Sequence, residues 1–99
     1  MPNLVIDLQD GFANDRVEVR VDDRQVYAKE GVSTDLRLSH ADGVRLHVAS
    51  GPVEVQVNVF SRGFSGTQRL DVAAEVYLAV SVSDAELEFR TSDRPFFYM

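Results

Sequence analysis

Apolar and polar residues alternate along almost the whole chain. In the clearest segment every second residue is valine and the residues between are polar: Val53, Glu54, Val55, Gln56, Val57, Asn58, Val59. Successive side chains of a β-strand point to opposite faces, so this pattern predicts strands that bury one face. Sixteen of the 99 residues are valine, which is common in strands. The sequence therefore predicts an all-β protein.

Turn-forming residues separate the alternating segments at intervals of about 8 to 12 residues, without a helical segment between them. Strands that are this short and this closely spaced predict an antiparallel β-sandwich of about seven to nine strands. The length fits one domain, so residues 1–99 should form a single sandwich that ends in an aromatic tail, residues 95–99. Segment 70–82 also fits a helical stripe, but its unbroken alternation favours a strand that bends at Ala73 and Ala74 and serves both sheets.

One hairpin-like segment resembles known sandwich modules. Residues 17–27, Val-Glu-Val-Arg-Val-Asp-Asp-Arg-Gln-Val-Tyr, look like a hairpin common in immunoglobulin-like and transthyretin-like sandwiches. The resemblance covers eleven residues and concerns architecture alone, so it implies a fold and no function. The chain departs from the immunoglobulin pattern because it has neither cysteine nor tryptophan.

The buried face also predicts how hairpins pair, since paired strands keep their apolar residues on one face. The opposite pairs expected, in chain order, are Arg20 with Tyr27 on the outer face, Val21 with Val26, His40 with Val44, and Val48 with Val53. Leu36 and Leu38 are expected on a further short strand, which a loop at residues 41–43 joins to the next.

The composition argues against several classes of function. Without cysteine the chain has no disulfide, thiolate nucleophile or cysteine-bound metal. A net charge of −6 with a single lysine is unfavourable for binding nucleic acid, which requires neutralisation of phosphates. No apolar run approaches the roughly 18 residues of a membrane helix, and the first residues do not form a secretory signal. We expect a cytoplasmic protein without a cofactor and without nucleic-acid or membrane partners.

The only compact set of a nucleophile, a base and an acid is Ser39, His40 and Asp42. Adjacent residues of a strand point to opposite faces, whereas a catalytic triad is assembled from distant segments. The preference of Asp and Gly for turns explains this segment better as a hairpin bend. We therefore expect that the protein is not an enzyme.

Asp10, Asn14 and Asp15 lie in one predicted turn and offer oxygen ligands that suit calcium. The segment lacks the spacing of an EF-hand loop, and turns themselves favour Asp and Asn. A protein that binds calcium or a small ligand through its end loops is the alternative function.

The main functional expectation comes from loops and aromatic residues. Segment 61–68 has no strand pattern and predicts a surface loop with Arg62 and Phe64 as contact residues. Tyr27 is an outer-face aromatic candidate, and the tail carries three more: Phe96, Phe97 and Tyr98. We expect a non-catalytic binding or assembly module that associates with itself, as a homodimer for example, or with another protein through an edge strand or the tail.

Overall fold

The computed structural model describes residues 2–38, 40–84 and 86–96, and within these ranges the chain forms eight strands. The strands are β1 (Asn3–Leu8), β2 (Asp15–Val21), β3 (Arg24–Val32), β4 (Asp42–His47), β5 (Gly51–Val59), β6 (Phe64–Val72), β7 (Val76–Ser83) and β8 (Glu86–Ser92). They form two four-stranded sheets that pack face to face, in the orders β4-β1-β7-β8 and β3-β2-β5-β6. The predicted all-β sandwich is confirmed.

Strand direction differs from the prediction at one pair. Every other ladder is antiparallel, but β1 and β7 run parallel, with Leu4 opposite Val76 and Leu8 opposite Val80. Hydrophobic alternation reports which face of a strand is buried and carries no information about its direction. The parallel pairing of β1 with β7 could therefore not be predicted from the sequence pattern.

The core lies between the two sheets and consists mainly of aliphatic side chains. Leu4, Ile6, Val19 and Leu78 are completely buried, as are Val55, Val57 and Val59 of the clearest alternating segment. Burial of one such side chain contributes roughly 1.5 to 3 kcal/mol to stability. The valines in phase along β2 and β5 therefore supply a large part of the free energy of folding.

The long alternating segment 70–82 divides between the sheets, as predicted. β6 ends at Val72 in one sheet and β7 begins at Val76 in the other. The residues between them, Ala73 to Glu75, change sheets without changing the phase of the alternation. The helical interpretation of this segment is wrong.

The register predicted for the β2–β3 hairpin is wrong because the hairpin contains a tight turn and a bulge. Asp22 and Asp23, with φ of 49° and 65°, form a two-residue turn that places Val21 opposite Arg24. Val26 is then the extra residue of a β-bulge. Beyond the bulge Tyr27 lies opposite Val19, and not opposite Arg20 as the alternation predicts.

The other two predicted hairpins do not form, because neighbours in sequence are not neighbours in the sheets. β4 pairs with β1, so Val44 lies opposite Ile6 and not opposite His40. β5 lies in the other sheet between β2 and β6, where Val53 faces Leu70 and not Val48. Segment 36–38 is a turn and not a strand, and Leu36 at its tip is 89% exposed.

Candidate functional site

The segment predicted as a surface loop, residues 61–68, is mostly strand. The turn between β5 and β6 occupies only residues 60–63, and β6 begins at Phe64. The strand escaped detection because Gly66 and Gln68 occupy positions on its inner face where apolar residues were expected. A Cβ at position 66 would lie 2.9 Å from Cε2 of Phe89, so a larger residue there requires the Phe89 ring to shift.

β6 is a regular edge strand. Its nine residues pair one to one with β5, from Phe64 opposite Val59 to Val72 opposite Gly51, without a register shift. Alternate residues of a strand direct their backbone N–H and C=O groups to the same side, so about half of these groups point away from β5. In the described ranges no hydrogen bond other than the β5 ladder involves the β6 backbone.

The other three edge strands are protected in ways that β6 is not. Proteins shield edges with bulges, short strands and charged side chains, lysine above all. β3 contains the bulge and Lys29, β4 has six residues, and β8 carries Glu86, Glu88 and Arg90. β6 has neither proline, lysine nor bulge, and its two charged residues, Arg69 and Asp71, sum to zero. β8 is equally regular but has seven residues, so β6 with nine is the longest regular edge in the described part of the chain.

An open groove runs beside this edge between the two sheets. Gln68, Leu70 and Asp71 form its β6 wall, and Thr91 and Ser92 of β8 form the opposite wall. Side chains of a strand added to β6 would enter this groove on their inward-pointing face. The site thus combines unpaired backbone groups with room for alternate side chains.

The turn that leads into β6 is anchored by a buried ion pair. Asp15 is 2% exposed, and Arg62 donates to it through Nε (3.0 Å, to Oδ1) and Nη2 (2.8 Å, to Oδ2). The hydroxyl of Ser61 and the amide of Ala13 also donate to this carboxylate, and Arg62 Nη2 donates to the carbonyl of Gly11. Burial would raise the pKa of Asp15, but the hydrogen bonds from Arg62, Ala13 and Ser61 outweigh it and lower the pKa. Arg62 is therefore a structural anchor, although the residue is exposed, and its role as a contact residue stays a prediction.

The predicted calcium ligands do not form a ligand set. Both carboxylate oxygens of Asp15 accept hydrogen bonds from protein donors. Asp10 is exposed, and Asn14 adopts a left-handed conformation (φ 51°) in which its amide donates to the hydroxyl of Ser33. Among residues 2–38, 40–84 and 86–96 no cluster of three or more acidic or histidine side chains could hold a metal ion.

Tyr27 lies on the inner side of β3 and not on the outer face, because of the bulge at Val26. Its hydroxyl donates to Oδ2 of Asp42 on β4 (2.9 Å), and Lys29 Nζ donates to the same oxygen (3.3 Å). Burial and the nearby Asp42 raise the pKa of Tyr27. Burial would raise the pKa of Asp42, but hydrogen bonds from the Gly43 amide, Tyr27 and Lys29 lower it. Tyr27 thus joins the two sheets and is not an exposed binding residue.

Of the other predicted aromatic contact residues, two are half-buried and two lie outside the described residues. Phe64 is half-buried at the start of β6, where it packs on the core. Phe96 is half-buried, with its ring 5.2 Å from Cζ of Arg90, an arrangement that favours a cation–π contact. Phe97 and Tyr98 lie outside the described residues.

Of the compact set Ser39, His40 and Asp42, the two described residues contact groups outside the set. His40 Nε2 lies 3.3 Å from Oδ1 of Asp7, whereas Asp42 is engaged by Tyr27 and Lys29. Ser39 lies outside the described residues. Asp7 was missed because it comes from β1, far away in sequence. Gly43 leaves the space for this contact, since a Cβ there would lie 3.0 Å from Asp7 Oδ1.

A second polar cluster lies on the outer face of the sheet that contains β1, β4 and β7. Glu75 accepts hydrogen bonds from the Tyr77 hydroxyl (2.7 Å) and from Asn3 Nδ2 (3.1 Å), and Arg45 lies 3.8 Å away. These hydrogen bonds, first from Tyr77 and then from Asn3, lower the pKa of Glu75. Asn3 Oδ1 is buried without a hydrogen-bond partner in the described residues, but the Glu75 carboxylate is already engaged, so this cluster is weaker than β6 as a candidate binding site.

Comparisons with known proteins add no identity to this geometry. No family model, no curated protein and no solved structure matches the chain. In the described ranges no helix is long and apolar enough to cross a membrane.

Proposed function

We propose that this protein is a non-catalytic binding and assembly module that takes an extended strand of a partner along the outer edge of β6. The observation that carries the proposal is the nine-residue edge of β6, which is regular, unprotected and unpaired on its outer side in the described residues. An edge of this kind is the template for strand addition between chains.

The chemistry of the edge supports this proposal. In strand addition the backbone hydrogen bonds supply the affinity, and pockets for alternate side chains supply the specificity. The groove lined by Gln68, Leu70 and Thr91 is placed to receive the inward-pointing side chains of an added strand. On the outer face, Ser65 and Thr67 offer hydroxyl groups for cross-strand hydrogen bonds.

The rigidity of the hairpin also favours binding. Arg62 fixes the turn on the buried carboxylate of Asp15, and Phe89 packs against Gly66 behind the strand. A preorganised edge loses little conformational entropy when a partner binds. The alternative function, calcium-dependent binding through the end loops, is not favoured, because Arg62 already neutralises Asp15.

The proposal is tested with displayed nine-residue peptides in which apolar and polar positions alternate. A double variant, Ser65→Lys and Thr67→Lys, protects the edge with the residue that natural edges use most. The control, Gln25→Lys and Ala28→Lys, adds the same charge to exposed positions on β3, the opposite edge of the same sheet.

We expect to select peptides that bind the native protein and the control with equal affinity and bind the edge variant at least about tenfold more weakly. Bound peptide should also slow hydrogen exchange at the amides of β6. Failure to select any peptide, equal binding to all three proteins, or protection elsewhere would overturn the proposal.

A further inference from the structure

We infer that the strand taken by β6 is the β6 strand of a second copy of this chain, antiparallel to the first, with Arg69 opposite Asp71 of the second copy. The inference rests on the proposed function of the β6 edge. The assembly would be a two-fold dimer in which residues 68–72 of the two β6 strands pair and join two four-stranded sheets into one continuous sheet.

The register follows from the faces and the charges of β6. Its outward residues are Ser65, Thr67, Arg69 and Asp71, and in a pairing of two copies these must oppose one another to keep the apolar face inside. One such register places Arg69 opposite Asp71 of the second copy, and two-fold symmetry repeats the pair. The adjacent registers oppose two arginines or two aspartates, which is destabilising. The register centred on Gln68 places Arg69 opposite Thr67 and Asp71 opposite Ser65, so it forms no pair of opposite charges.

The two charged groups are available for this contact. The Arg69 side chain is 85% exposed, and its only ion-pair partner in the described residues is Glu54, 3.6 Å away. Asp71 lies opposite Pro52, and in the described ranges its carboxylate has no hydrogen-bond or ion-pair partner. In the dimer Arg69 would lie between Glu54 of its own chain and Asp71 of the second copy.

The inner face fits the same register. Leu70 would lie opposite Leu70 of the second copy, and Gln68 opposite Val72 of the second copy. These side chains line or adjoin the open groove between β6 and β8. The two grooves would join across the two-fold axis, where Leu70, 8% exposed in the monomer, would meet Leu70 of the second copy.

A charge-swap cycle tests the pairing in solution by sedimentation at about 1 µM to 1 mM protein. All variants carry Glu54→Gln, so that the neighbour of Arg69 in its own sheet does not bias the result. Arg69→Asp or Asp71→Arg alone puts like charges opposite each other at two symmetric positions. We expect each single variant to weaken the dimer at least about tenfold, and the double swap to restore it to within about threefold.

Unchanged melting temperatures of these variants at low concentration would show that the monomer fold is intact, since both residues are exposed. A dimer that is insensitive to either single substitution, or that the double swap does not restore, would overturn the inferred register.

Disulfide trapping tests which residues of the two copies lie opposite each other. The native chain has no cysteine, so a disulfide can form only between the introduced cysteines. A mixture of the Arg69→Cys and Asp71→Cys proteins should form a cross-linked species of twice 11.0 kDa. A mixture of Thr67→Cys and Arg69→Cys reports the register centred on Gln68, and preferential cross-linking there contradicts the inference.

Cross-linking in neither mixture, together with peptide binding at β6, would overturn the second copy as partner while the binding function stands. Failure of both cross-linking and peptide binding would overturn the proposed function as well.

Discussion

The two long sides of the sandwich are closed in different ways. On one side β3 and β4 are joined by Asp42, which accepts hydrogen bonds from Tyr27 and Lys29. On the other side Phe89 packs against Gly66, and the space between β6 and β8 stays open from Gln68 to Asp71. Polar bridges and a bulge therefore protect one side of this fold, whereas the other side keeps a regular exposed strand edge.

The bulge at Val26 has two effects on the closed side. It shifts the register of β3, and irregular edges resist strand addition. It also places Tyr27 on the inner side, where its hydroxyl reaches Asp42. β6 has no such shift along its nine residues, and among the described residues no hydrogen bond or ion pair joins it to β8.

The first prediction concerns the anchor that keeps the open side rigid, and it has the largest effect. Asp15→Ala leaves the guanidinium of Arg62 and the donors of Ser61 and Ala13 without their carboxylate. Because Asp15 is buried, we expect a loss of about 3 kcal/mol in the free energy of unfolding, measured by urea denaturation. Asp10→Ala, in the same loop but exposed, should cost less than about 0.5 kcal/mol. Equal losses in the two variants would show that the ion pair does not anchor the turn.

The second prediction breaks the packed half of the open side. Gly66→Val places new atoms where a Cβ alone would lie 2.9 Å from the Phe89 ring and 3.2 Å from Cδ1 of Leu87. Overpacking of this kind costs about 2 kcal/mol. The control Ser65→Val adds the same side chain to the exposed face of the same strand and should leave stability unchanged or slightly higher. If both variants unfold at the same urea concentration, Gly66 is not required for the approach of the two sheets.

The sequence was sufficient for the fold class and for the inner face of most strands. Val17 and Val19 and the four valines of β5 are buried as their alternation predicts. The partners of each strand were not predictable in this way, because alternation specifies a face and not a neighbour. The parallel pairing of β1 with β7, the pairing of β4 with β1 and the bulge at Val26 all escaped for this reason.

Most of the candidate site could not be predicted from the sequence for a related reason. Gly66 and Gln68 interrupt the apolar alternation on the inner face, so the sequence pattern did not predict β6. Whether β6 is an edge strand depends on the order of strands in the sheet, which the pattern does not specify. The pair Asp15 and Arg62 brings together residues from two different hairpins, and no local pattern joins them. The aromatic residues were visible in the sequence, but their burial depends on tertiary packing, as Tyr27 shows.

The third prediction weakens the bridge of the closed side. Asp42→Asn removes the charge that attracts Lys29 while keeping an acceptor for Tyr27. Lys29 and Asp42 are partly exposed, so we expect a loss of about 1 kcal/mol at pH 7. Asp84→Asn, at an exposed turn, is the matched control.

The same variant has a predicted pH dependence. The pKa of Asp42 is lowered from 3.8 by folding, so its charge stabilises the native state above that value. This contribution is lost as the pH falls through the lowered pKa. The difference in unfolding free energy between the native protein and Asp42→Asn should therefore shrink below about pH 4. A difference that is constant from pH 7 to pH 2 would contradict the role of the carboxylate.

The last prediction has the smallest effect on stability and separates the two edges most directly. Asp71→Lys on β6 and Ala28→Lys on β3 are both exposed substitutions, so each should change the stability of the monomer by less than about 0.5 kcal/mol. The dimer adds a term that depends on concentration, about 0.4 kcal/mol when the free protein equals the dissociation constant. The melting temperature of the native protein and of Ala28→Lys should therefore rise with protein concentration, whereas that of Asp71→Lys, which opposes Arg69 of the second copy with a like charge, should stay constant. A calorimetric dilution series measures how the melting temperature depends on protein concentration. If this dependence is the same for the two variants, the β3 and β6 edges do not differ in function, because only association through β6 is expected to raise the melting temperature.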